Sequence, residues 1–180
     1  MKIKIKEFEQ HLYHEIYDED KAEEYVGEAL SYIGLVVMYF NSLEASLDGY
    51  LCQIFTDRSD STGLIVLNKM NYASKVELFK RFCDDFDVCT GSAIAGYELL
   101  INILKEAGRL RNLVVHANWE STDEEGYTFV RLKMSKKGMQ QEYVQFSTES
   151  LQKVVNLIVD ACGSLGEYWE LRDEALHGSS

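Results

Sequence analysis

Three residues able to act together on a phosphodiester lie within the segment Arg111-Asn112-Leu113-Val114-Val115-His116. A histidine side chain can move a proton near neutral pH. An arginine can grip the oxygens of a phosphoryl group bidentately and stabilise charge developing on it. On a helix each residue advances by about 100°. Asn112 and His116 are spaced by four, so they fall on one side, one turn above the other. Arg111 shares a stripe with Leu104 and Val115, which directs it toward the interior. A guanidinium there needs a carboxylate or an anion, because an unpaired buried charge is costly.

An earlier helix offers a complement. Glu44 falls within the apolar arc of Phe40, Leu43, Leu47 and Leu51, with Asn41 and Asp48 at its flanks. Two readings follow. In the structural one, Glu44 pairs with Arg111 inside the protein and His116 caps a helix end, since ion pairs also stand in cores. In the functional one, Glu44, Arg111, Asn112 and His116 form a site for phosphodiester chemistry that requires no cofactor and no metal.

The elements that must position these residues can be read from periodicity. Ile33, Val36, Phe40, Leu43, Leu47, Leu51 and Ile54 recur at spacings of three and four, predicting one long amphipathic helix over 20–55. A turn is expected at Asp57–Gly63. A second helical region spans 64–86 and is open to a break at Asn68–Ser74, with Val76, Phe79, Phe82 and Cys83 facing inward. Gly91 reads as a stop and Ser92 as the next N-cap. A third helix is predicted over 93–116, where Gly108 would admit a close neighbour. Glu120–Gly126 reads as a polar loop. The period then changes to two: Tyr127–Met134 and Gln141–Phe146 alternate around a Ser135–Gly138 turn, predicting a β-hairpin. Ser147 or Thr148 should cap a last helix with Leu151, Val154, Val155, Ile158, Leu165 and Trp169 on one face.

Composition narrows the function classes. The 180 residues carry 46% hydrophobic and 27% charged side chains, an ordinary globular balance, and no proline. The net charge of −12 opposes broad attraction to nucleic acid. The acidity concentrates between Glu15 and Glu28, whereas Tyr127–Met139 carries Arg131, Lys133, Lys136 and Lys137 and no acid. The four cysteines form no Cys-x-x-Cys pair and lie at no zinc-ligand spacing to histidine, so neither a disulfide framework nor a structural metal is expected. The glycine-rich phosphate loops and the Gly-x-Ser-x-Gly elbow are missing. Residues 1–10 have no signal-peptide core, and no apolar run suggests a membrane span. The cytoplasm is the expected compartment.

Arg-Asn-x-x-x-His near the end of a long helix resembles the signature of the HEPN superfamily. The match is Arg111, Asn112 and His116, and the preceding helix carries Asn41-Ser-Leu-Glu-Ala-Ser-Leu47. The resemblance spans residues 20–170, and its specific part is the hexamer. It implies an all-α fold, which together with the periodicities is an antiparallel bundle of four to five helices. The β-hairpin (126–147) is inserted before the last long helix, and residues 1–18 extend a single domain covering 1–180. It implies a homodimer and a metal-independent endoribonuclease of toxin–antitoxin or phage-defence type. In such an enzyme a 2′-hydroxyl of the RNA substrate attacks the scissile phosphate. Carried over, His116 is the general base or acid. Arg111 stabilises the pentacoordinate phosphate. Asn112 orients His116 or binds phosphate. Glu44 joins them by helical phase. The alternative is a non-catalytic HEPN-like helical interaction module. The acidic N-terminal segment suits a basic protein partner, an antitoxin among them, better than open-ended RNA binding.

Overall fold

The computed structural model describes residues 1–12, 14–56, 58–91, 93–136 and 138–178. Among them the elements are β1 (Lys2–Glu7), α1 (Glu19–Phe55), α2 (Ser61–Leu67), α3 (Tyr72–Thr90), α4 (Tyr97–Val115), β2 (Asn118–Thr122), β3 (Tyr127–Ser135), β4 (Gly138–Gln145) and α5 (Thr148–His177). The five helices hold 64% of the described residues, and a four-stranded antiparallel sheet holds 16%. The all-α expectation is therefore corrected to a mixed α/β fold. Asp57 at the start of the expected turn, the expected N-cap Ser92 and Lys137 of the basic stretch lie outside the described residues.

Two strands account for the correction. The supposed N-terminal extension contains β1, which pairs antiparallel with β4 from Lys2↔Gln145 to Glu7↔Gln140. Its Lys-Ile-Lys-Ile-Lys alternation is a period of two, the signature of a strand. Strand β2 begins at Asn118 and runs into the expected loop Glu120–Gly126, pairing with β3 through an irregular register, Asn118↔Phe129 and then Thr122↔Thr128. The sheet order is β1-β4-β3-β2, so the expected hairpin is its centre rather than an insertion.

The chain divides into two compact units. The first comprises residues 1–37 and 110–155 and contains the sheet, the start of α1, the end of α4 and the start of α5. Thr122 and Thr128 share a buried hydroxyl–hydroxyl hydrogen bond of 2.9 Å, and Trp119 packs on Phe146 with ring centroids 5.0 Å apart. Asp123 closes the β2–β3 turn by accepting from the Tyr127 amide at 2.8 Å and the Glu125 amide at 3.1 Å. Gly126 completes that turn at φ +78°, and a β-carbon there would collide with the Tyr25 ring. Gly126→Ala is therefore expected to cost about 2 kcal/mol or more, from left-handed strain and overpacking together. A lower melting temperature than the parent's tests this, and an unchanged one contradicts it.

The second unit comprises residues 38–109 and 156–180. Phe40, Leu43, Leu47 and Leu51 of α1, Val76 and Phe79 of α3, Leu104 of α4 and Ile158 and Leu165 of α5 are all buried. Asn71 caps α3 by accepting from the Ser74 amide, and Gly91 ends it in the left-handed conformation, as a helix stop requires. The second helical region breaks where turn formers were seen, between Leu67 and Tyr72. Gly108 admits the Tyr72 ring, whose hydroxyl donates to the Leu104 carbonyl at 3.0 Å. α1 is the one described helix long and apolar enough, by length and composition, to cross a membrane. Only 22% of the apolar window responsible is buried: Val36, Phe40, Leu43, Leu47 and Leu51 face the core, whereas Leu30, Met38 and Tyr39 are exposed.

Candidate functional site

The end of α4 carries the Arg-Asn-x-x-x-His segment, and two anchors fix it. Val114 is completely buried. The Trp119 indole donates to the Val114 carbonyl at 3.0 Å, satisfying one of the orphan acceptors of the helix end. Trp119 thus pins the turn that bears His116, a role its sequence neighbourhood did not suggest.

On this anchored end Arg111 is half-buried, and Asn112 and His116 are exposed. Arg111 Nη1 donates to Asn112 Oδ1 at 3.0 Å, so the amide holds the arginine. The His116 amide bonds back to the Asn112 carbonyl at 3.1 Å, which keeps the imidazole one turn beyond the Asn112–Arg111 pair. The arrangement places a guanidinium and an imidazole on the same helix end. That pairing can charge-stabilise a phosphoryl group and move a proton.

Glu44 falls in the other unit and has a different partner from the one expected. Lys75 of α3 reaches Glu44 Oε1 at 2.9 Å and Asp48 Oδ2 at 2.8 Å. Its side chain is 8% exposed. Burial works against the ammonium, but the hydrogen bonds to Asp48 and Glu44 outweigh it and hold the Lys75 pKa above the ordinary lysine value. Asp48 Oδ1 is buried with no hydrogen-bond partner among the described residues, so the network leaves one acceptor unmet. Lys75 was legible by the rule that singled out Glu44. It shares the 3–4 spacing of Phe79, Phe82 and Phe86 and is a polar residue on an apolar stripe.

A second buried polar cluster lies in the first unit. His14 Nε2 is 3.2 Å from Asp123 Oδ2, and the two side chains are 4% and 5% exposed. The imidazole packs tilted against Tyr143 with ring centroids 4.4 Å apart, and Lys4 reaches the same Asp123 oxygen at 3.8 Å. Burial lowers the His14 pKa below its ordinary 6.5, with Asp123 opposing and Lys6 and Lys4 reinforcing. The folded state therefore holds the neutral ring. Its stability is complete above pH 6.5 and falls as the pH drops from there through the folded value, because the unfolded chain takes the proton first. Melting temperatures between pH 7.5 and 5 should show this decline in the parent and lose part of it in His14→Phe. Parallel curves for the two proteins would refute the assignment.

The basic stretch of the hairpin is partly neutralised. Arg131 and Lys133 both pair with Glu142, which is 3% exposed. Burial would raise the Glu142 pKa, but the two cations outweigh it and hold the carboxyl below its ordinary range. Among the described residues no group of three or more His, Cys, Asp or Glu side chains is placed to hold a metal ion, and all four cysteines are free thiols. No family model, curated protein or solved structure matches the chain.

Proposed function

We propose that the chain is a metal-independent endoribonuclease of toxin–antitoxin or phage-defence type, working in the cytoplasm as a HEPN-like homodimer. One observation carries the reading: Arg111, held by Asn112, and an exposed His116 share the anchored end of α4. In the reaction His116 takes the proton of an RNA 2′-hydroxyl, and that oxygen attacks the adjacent phosphorus. Arg111 stabilises the pentacoordinate phosphate. The bond to the 5′-oxygen breaks, and that oxygen accepts a proton from the His116 of the partner protomer or from water. The products are a 2′,3′-cyclic phosphate and a 5′-hydroxyl end.

Incubating the purified chain with transfer or messenger RNA in excess chelator tests this. Fragments should bear cyclic-phosphate and 5′-hydroxyl ends, and a substrate with 2′-deoxyribose at the cut position should resist. Intact RNA after incubation with a folded protein sinks the reading. The second reading, a non-catalytic HEPN-like interaction module, is favoured by the engagement of Glu44 with Lys75. That pair gives the carboxylate a structural duty without any substrate.

A further inference from the structure

A groove of about 570 Å³ runs along the first turns of α1 and strand β2, entirely within the first unit. Ile16, Val26, Leu30 and Trp119 supply its apolar wall, and Leu30 is 61% exposed. The carboxylates of Glu19, Glu23 and Glu120 stand on its rim. Along α1, positions 19, 23, 26 and 30 fall on one helical face, so the acids and the apolar residues form a continuous strip. Gly27 lies on the same strip and contributes no side chain. A β-carbon built there meets nothing within 4 Å, so the missing side chain is what opens the floor. Among the described residues that line it, none is Lys, Arg or His.

We infer that this groove is the docking site for a cationic amphipathic helix of a protein partner. The apolar wall calls for apolar side chains, and the three rim carboxylates call for lysine or arginine beside them. A nucleic acid or an anionic lipid surface would meet carboxylates where it needs cations. A second copy of the chain suits the groove poorly, because it carries 30 acidic against 18 basic residues and brings like charge to the rim. The groove also adjoins the candidate site. Its wall residue Trp119 is bonded to the last turn of α4. An occupant would therefore touch the strand that leaves His116. The inference does not rest on the ribonuclease reading, because docking is measured by peptide binding and not by RNA cleavage.

Calorimetric titration of the intact chain tests it, using two synthetic helical peptides. Both have leucine on one face, and the other face is lysine in one and glutamate in the other. The lysine peptide should bind one to one and the glutamate peptide should not. Gly27→Leu fills the floor and should weaken binding at least about tenfold. Leu30→Glu, at an exposed position, should do the same without disturbing the core. Reversing Glu19, Glu23 and Glu120 to lysine should invert the preference between peptides. Reversing three exposed acids elsewhere, Asp160, Glu170 and Asp173, should leave it intact. Four outcomes overturn the inference. The lysine peptide fails to bind. The α5 reversals weaken it as much as the rim reversals do, which means diffuse attraction. Single-stranded RNA, titrated without peptide, binds the chain and loses that binding in Gly27→Leu. Gly27→Leu abolishes a self-association of the chain, which means a second copy fills the groove.

Discussion

His116→Ala is expected to lower RNA cleavage by about 10²- to 10⁴-fold and to leave the melting temperature unchanged. The two halves of that result have separate physical causes. A positioned general acid–base group contributes a factor of that size, and no other imidazole lies on the α4 end. The side chain is exposed, so removing it deletes no packing, and surface substitutions of this kind usually shift stability by no more than about 0.5 kcal/mol. Arg111→Ala should reduce cleavage comparably, and Arg111→Lys should not restore it, because an ammonium lacks the planar fork that meets two phosphate oxygens at once. Asn112→Ala should cost less, since it removes only the acceptor that holds Arg111 at 3.0 Å. Rates per folded molecule, with folding checked by circular dichroism, separate these effects. Equal cleavage by the parent and His116→Ala would assign the activity to a contaminant. An Arg111→Ala chain that cannot fold would make that arginine structural.

How much of this was legible in the sequence depends on how local the determining contacts are. The stripe from Val36 to Leu51 repeats over several helical turns, so α1 could be drawn almost to its true ends. The β3–β4 hairpin was legible because both strands and their turn lie within one short stretch. Strand β1 was not, although its alternation is clean. Its partner β4 lies more than a hundred residues downstream, and its own isoleucines, Ile3 and Ile5, stay 61% and 53% exposed at the sheet edge. Strand β2 was hidden because it is only five residues long and its pairing with β3 shifts register between Asn118 and Thr122. The same distinction governs the site. Arg111 and Asn112 are chain neighbours, and their hydrogen bond is local. The partner of Glu44 depended on which helix meets α1, and no periodicity within α1 carries that information. His14 and Asp123 meet for the same non-local reason. Two histidines in a polar N-terminal segment, His11 and His14, gave no sign of a buried cluster.

Lys75→Met should destabilise the chain by about 3 kcal/mol, the lower end of the range for removing one partner of a buried ion pair. The substitution keeps the length and apolar stem of the side chain, so little packing is lost. What is lost is the cation between Glu44 and Asp48, whose carboxylates are 31% and 26% exposed. That residual access to water places the effect at the low end, since each carboxylate regains part of its hydration. Glu44→Gln with Asp48→Asn in the Lys75→Met background should recover much of the loss, because neutral amides near the methionine carry no uncompensated charge. Urea midpoints for the parent, the single variant and the triple variant measure this directly. The pH dependence gives an independent check. Lys75 is held above its ordinary 10.5, so its contribution is complete below that value and is lost as the pH rises through the folded pKa. The series also decides what Glu44 is for. If Glu44→Gln lowers the urea midpoint and leaves cleavage per folded molecule intact, the carboxylate is a partner of Lys75 and not a member of the reacting group. The chemistry then rests on Arg111, Asn112 and His116. If cleavage falls with no loss of stability, Glu44 acts on substrate, and the ion pair with Lys75 is how the resting protein stores that charge.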